Sequence, residues 1–122
     1  MTSDRATQES ADLARRQVGA AKNQSLFREV NERIDGLRPE DTLIPFACEC
    51  IDKDCTESLP LNRNEYEGVR RFPTHFMVMP GHELDEVELV VEQNERYAIV
   101  EMFGAAGPVA MKLDPRARVG AT

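Results

Sequence analysis

Cys48, Cys50 and Cys55 place every cysteine of the chain within eight residues, Cys48-Glu49-Cys50-Ile51-Asp52-Lys53-Asp54-Cys55. Three thiolates and one imidazole are an ordinary ligand set for tetrahedral zinc, whose structural sites take four Cys or His donors. A Cys-x-Cys turn can offer two sulfurs to one ion, and Asp52-Lys53-Asp54 gives enough loop for Cys55 to return. The fourth donor must come from farther along the chain, where His75 and His82 are the two histidines. His82 follows Pro80-Gly81, a bend that can aim a side chain back at a loop. His75 follows Pro73-Thr74 at the head of an apolar run and reads as an exposed or capping residue. The expected set is Cys48, Cys50, Cys55 and His82 around a structural Zn2+, with His75 or a carboxylate as the substitute fourth donor.

Packing alone is a weaker account of these thiols. Free cysteines behave as small hydrophobes, yet these alternate with Glu49 and sit beside Asp54 and Thr56. An odd count also leaves one thiol over under any disulfide scheme. A catalytic zinc needs an open position and a nearby acid or base. Glu49 and Glu83 are the adjacent carboxylates, and both read as solvated side chains. Neither sits in His-Glu-x-x-His or in His-x-Glu with Pro-Cys-x-x-Cys, and no phosphate loop, dinucleotide fingerprint or Gly-x-Ser-x-Gly occurs. The chain is not expected to be an enzyme.

The 122 residues suffice for one domain with a modest core, which a metal staple would help to stabilise. A formal charge of −7 disfavours direct nucleic-acid contact and adhesion to anionic lipid. No apolar run approaches the length of a membrane span. The polar start, Met1 to Arg5, has no signal-peptide core. These features predict a cytoplasmic location, where thiols stay reduced.

Residues 1–24 read as a polar arm, disordered or helical, with 1–12 frayed. Residues 25–103 read as a zinc-stabilised domain, and 104–122 as a flexible tail rich in Gly, Ala and Pro. Leu26, Val30, Ile34 and Leu37 fall at helical spacing and predict one apolar stripe. Gly36 and Pro39 end that pattern, and a break near Asn23-Gln24-Ser25, with Ser25 as a cap, is possible on composition. Residues 42–47 and 57–61 predict short strands on either side of a knuckle. Asn62 and Glu65 have capping-box spacing, with Tyr66 and Val69 turned to the core. Residues 76–79 predict a strand and 87–102 a hairpin through Gln93-Asn94-Glu95-Arg96. The fold class is α+β: an N-terminal helix, a small antiparallel sheet with a zinc knuckle, one short helix and a C-terminal β-hairpin.

Phe46-Ala47-Cys48-Glu49-Cys50, Asp54-Cys55, Asn64-Glu65-Tyr66-Glu67 with Val69-Arg70, Pro80-Gly81-His82-Glu83 and the Val-Val-Glu hairpin together resemble a group of small, largely uncharacterised actinobacterial proteins. Their pattern is a Cys-x-Cys-x4-Cys cluster followed by Pro-Gly-His, and the likeness covers about residues 25–103. The resemblance implies His82 over His75 as the fourth donor and implies no activity. The expected role is a small cytosolic zinc-stabilised protein-interaction module, adaptor or regulatory, with a protein partner. Two alternatives are a redox- or metal-responsive sensor using the cysteines and a nucleic-acid-associated regulator acting through a protein partner.

Overall fold

Helix α1 spans Thr2–Asp35 and passes unbroken through Asn23–Ser25, so Ser25 is a buried mid-helix residue and not a cap. The computed structural model describes residues 2–36 and 42–120, and the stripe and stop expected at Leu37 and Pro39 lie outside them. The helix contains no proline and is rich in Ala, Gln, Glu and Arg, which favour helix. Residues 2–12, expected to fray, continue it. Gln8 donates to Asp12 at 3.2 Å, and Arg5–Glu9 and Arg15–Asp12 add exposed pairs at i,i+4 and i,i+3.

The apolar stripe expected on this helix does not face the core. Leu26 is 63% exposed and Val30 45%, while Ile34 touches the core from its margin. The buried face carries Gln17, Ala20, Ala21, Gln24, Arg28, Asn31 and Asp35. The spacing is helical and the chemistry is polar. These side chains are needed inside because the elements beneath present backbone groups that require partners.

Strands β1 (Ile44–Ala47) and β2 (Ser58–Leu61) pair antiparallel, with Pro45 opposite Pro60 and Phe46 opposite Leu59. Proline is tolerated because a two-stranded sheet has only edges. Helix α2 (Arg63–Arg70) starts at the expected capping box: Asn62 Oδ1 accepts from Glu65 N at 2.8 Å, and Asn62 N donates to Glu65 Oε1 at 3.0 Å. Tyr66 and Val69 are fully buried, and Tyr66 stacks on Phe46 at 4.4 Å. Strands β3 (His75–Val78), β4 (Glu88–Gln93) and β5 (Ala98–Met102) form a second antiparallel sheet in the order β3-β5-β4. The α+β architecture is the expected one, with its strands divided between two sheets.

The flexible tail is the second correction. Residues 106–112 form α3 (Ala106–Lys112) and residues 115–120 form α4 (Pro115–Gly120). Ala106 and Ala110 are fully buried, and α3 packs on α1, where Ala20 and Ala21 are buried. Small side chains on both helices permit this approach. Gly104 starts the turn with φ +60°, where a Cβ would meet the Gln17 side chain at 2.6 Å. Arg28 donates to Ala110 O at 2.7 Å and to Pro73 O at 2.6 Å, its guanidinium lying 4.5 Å from the Phe76 ring centroid. Arg70, also buried, meets Asp114 just before α4. The folded body therefore extends beyond 25–103 at both ends. Among the described residues no helix is long and apolar enough to cross a membrane.

Candidate metal centre

One strand end and two chain reversals bring four donors together. Cys48 continues the β1–β2 ladder by donating from its backbone to Glu57 O at 3.1 Å. The chain then turns back at Asp52, whose side chain accepts from Asp54 N at 2.9 Å and whose carbonyl accepts from Cys55 N at 3.0 Å. An Asx turn of this kind returns the third sulfur toward the first two. His82 enters through the turn Met79-Pro80-Gly81-His82, closed by His82 N donating to Met79 O at 2.9 Å. Pro at the second position and Gly81 at φ +93° in the third are what a type II turn requires. Glu83 Oε1 accepts from Gly81 N at 3.1 Å and steadies the bend.

The donor atoms of Cys48, Cys50, Cys55 and His82 all lie within 4.8 Å of one another. His82 Nδ1 is 3.6 Å from Cys48 Sγ and 3.7 Å from Cys55 Sγ. Zn–S and Zn–N bonds of ordinary length, set at tetrahedral angles, place sulfur about 3.6 Å from nitrogen. All three cysteines are free thiols. Cys48 and Cys50 are buried, whereas Cys55 and His82 are half-buried and form the outer side of the group. His75 is not part of it. Its ring lies 4.6 Å from that of Phe72, with Nε2 3.7 Å from Glu101 Oε1.

Burial pushes the Cys48 thiol well up; the Met79 N–H opposes this, and the neighbouring Cys50 and Cys55 sulfurs add to it. Burial likewise raises Cys50, against the backbone contact with Asp52. Packed together without a cation, Cys48 and Cys50 favour the protonated thiol. A divalent ion reverses that preference, because a coordinating thiol is deprotonated outright. Met79 N donates to Cys48 Sγ at 3.1 Å, a bond that favours the thiolate and fixes the sulfur against the end of β3.

Glu49 was expected to be solvated and is instead fully buried. Its side chain points away from the sulfurs. Oε2 accepts from Asn31 Nδ2 at 2.8 Å and Oε1 accepts from Met77 N at 3.0 Å. Its backbone N donates to Met77 O at 2.8 Å, and its carbonyl accepts from Gln24 Nε2 at 2.9 Å. Burial pushes its carboxyl up to about 7, against the hydrogen bonds from Asn31 and Met77 and the charges of Arg70 and Arg28. Asn31 completes the junction: its Oδ1 accepts from Ala47 N at 2.8 Å and its Nδ2 donates to Ala47 O at 2.9 Å. The residue between the first two cysteines thus ties the knuckle to α1 on one side and β3 on the other. The sequence signal for Glu49 was a charged residue held between two thiols. Asn31 and Gln24 gave none, because their role depends on the backbone opposite them.

No protein family, curated protein or solved structure matches the chain. The chemistry of the site is therefore read from its own geometry. Three sulfurs and one imidazole nitrogen, mutually close and free of disulfides, can hold a metal ion.

Proposed function

We propose that the chain is a small zinc-stabilised protein-interaction module, adaptor or regulatory, without catalytic activity of its own and working in the cytoplasm. The observation that carries this reading is the spacing of His82 Nδ1 from Cys48 and Cys55 Sγ, 3.6 and 3.7 Å, within a four-donor cluster. A Cys3His donor set suits zinc, and four protein donors fill a tetrahedral sphere with no position left for a substrate. The nearest buried carboxylate, Glu49, is occupied by Asn31 and Met77 and so is not disposed to act as acid or base at the ion. A net charge of −7 favours a protein partner over nucleic acid.

Elemental analysis of the purified protein tests the reading. One zinc per chain is expected, falling sharply in His82→Ala and unchanged in His75→Ala. Zinc-free protein of native stability would overturn it.

A sensor is the second reading, favoured by the half-buried positions of Cys55 and His82 on the outer side of the cluster. Peroxide titration separates the two. Zinc release at low oxidant supports the sensor, and retention of zinc supports the structural role.

A further inference from the structure

Among the surfaces of the described residues that leave large apolar side chains in solvent, two lie on opposite sides of the three-stranded sheet. Strand register fixes the first. His75, Glu101 and Leu89 form one row across β3, β5 and β4, and Met77, Ile99 and Glu92 form the next. Helix α2 packs on β3, and Met77 is fully buried there. Beyond Ile99 of β5, itself buried, the same face is open along β4. There, α2 and the hairpin enclose a cleft of roughly 670 Å³, with Val91, Ile99 and Tyr97 among its walls and Phe72 and His75 at one side. Phe72 and Val91 of the lining are 50% and 48% exposed, and Leu89, beside the cleft in the His75 row, is 60% exposed. Glu92, Glu95 and Glu101 are exposed carboxylates of the same hairpin. Arg96, at the hairpin turn, is already paired with Glu65, while Arg71 lies on the α2 side of the cleft.

The second surface is the outward side of α1. At about 100° per residue, Lys22, Leu26 and Arg33 fall in one narrow strip with Val30 beside it and Glu29 within it. Leu26 and Val30 are the exposed pair, an i,i+4 spacing suited to a helix anchored in a groove. This strip cannot reach the cleft of its own molecule. Helix α1 packs on the other face of the sheet, where Arg28 covers Phe76 and Gln24 meets Glu88.

We propose that the Lys22–Arg33 strip of α1 in one copy docks into the α2–hairpin cleft of a second copy, giving head-to-tail self-association. Leu26 and Val30 pack on the apolar part of a mixed lining, Phe72 and Val91, and Lys22 and Arg33 meet the carboxylates of the hairpin. The proposal rests on the interaction-module reading and names its partner as this same chain. It accounts together for Leu26, Val30, Phe72, Leu89 and Val91, exposed side chains whose removal from water favours association.

Sedimentation equilibrium of the zinc-loaded full chain across a wide concentration range tests it. Average mass rises with concentration and falls back with added salt. Leu26→Glu and Leu89→Lys, both at exposed positions, each weaken association about tenfold or more, with zinc content and circular dichroism unchanged. Mixing these two variants restores a contact, because one retains the cleft and the other the helix strip, and the mixture stops at a capped pair. Glu92→Lys gives the same loss through charge reversal and is a second probe should Leu89→Lys disturb the hairpin. A monomer at every concentration overturns the proposal, as does a mixture that fails to pair or variants that associate as before. Zinc content read on the same samples keeps the two ideas apart: a zinc-bound monomer refutes only self-docking, whereas a folded protein without zinc refutes the module itself.

Discussion

Glu32 gathers Arg116, Tyr66 and Arg70 around one carboxylate. Arg116 donates to it through Nε at 2.6 Å and Nη2 at 3.0 Å, Tyr66 donates its hydroxyl at 2.7 Å, and Arg70 Nε lies 3.5 Å away. Burial alone would raise its carboxyl; the hydrogen bonds from Arg116 and Tyr66 and the charge of Arg70 outweigh that and hold it below the ordinary value of 4.5. The sign of the linkage follows. A folded-state value below the unfolded one adds stability at pH above the ordinary value and loses it as pH falls through the folded value. Glu32→Gln keeps an acceptor for Tyr66 but turns an amide toward Arg116, and at neutral pH it should cost roughly 1–3 kcal/mol. The difference between wild type and variant should shrink below about pH 4.5. Urea unfolding of both proteins at a series of pH values measures this, and acid loss of zinc, common to both, cancels in the difference. A gap that stays constant down to strongly acidic pH would show that the ionised carboxylate is not the source of the stability.

Helix α1 is held by bonds from its side chains to other elements' backbones, and this sets how it responds to metal. Gln24 and Asn31 reach Glu49 and Ala47 on either side of Cys48, so the path of residues 47–49 determines whether α1 has a surface to dock on. Asn31→Ala orphans Ala47 N and one Glu49 oxygen inside the protein and should destabilise it by roughly 1–3 kcal/mol for each group left unpaired. Zinc removal should loosen the same contacts. Hydrogen exchange after chelation is expected to accelerate across residues 17–35 together with the knuckle, and unchanged protection of that part of α1 would break the link. The same helix shows where sequence reading stops. The capping box at Asn62 and Glu65, the cysteine cluster and the Pro80-Gly81 bend before His82 were legible because each is a local pattern with a local cause. The inner face of α1 was not, since Leu26, Val30 and Ile34 make the better apolar stripe and only the neighbouring backbone makes Gln24, Arg28 and Asn31 the better contacts. The Gly-Pro run that suggested a loose tail hides α3 for a related reason. Pro108 sits in its first turn, where a missing N–H costs little, and the small residues that read as a linker are what let α3 approach α1.

At the scale of the molecule, α1 and the C-terminal helices meet at one buried polar layer. Arg28 and Arg70 lie beneath α3 and α4, and each depends on residues after Phe103: Ala110 O for Arg28 and the Asp114 carboxylate for Arg70. A chain ended at Phe103 would keep every metal donor and every strand. It would also take Asp114 from Arg70, leaving Glu32 as its carboxylate, and strip Ala20 and Ala21 of the helix that covers them. Removing one partner of a buried ion pair costs about 3–5 kcal/mol, a large fraction of the stability of a domain this size. The shortened chain should therefore fail to unfold cooperatively on heating even when saturated with zinc. Removal of residues 2–12, whose pairs are exposed and local, should leave the thermal midpoint nearly unchanged. Calorimetry on the two truncations with zinc in excess decides between two pictures of the fold. Cooperative melting of the 1–103 chain would mean that the metal suffices to hold the sheets and α1. Its absence, beside a normal transition for the chain lacking 2–12, would make the zinc site one of two clamps on α1, with the Arg28–Arg70–Asp114 layer under the C-terminal helices as the other.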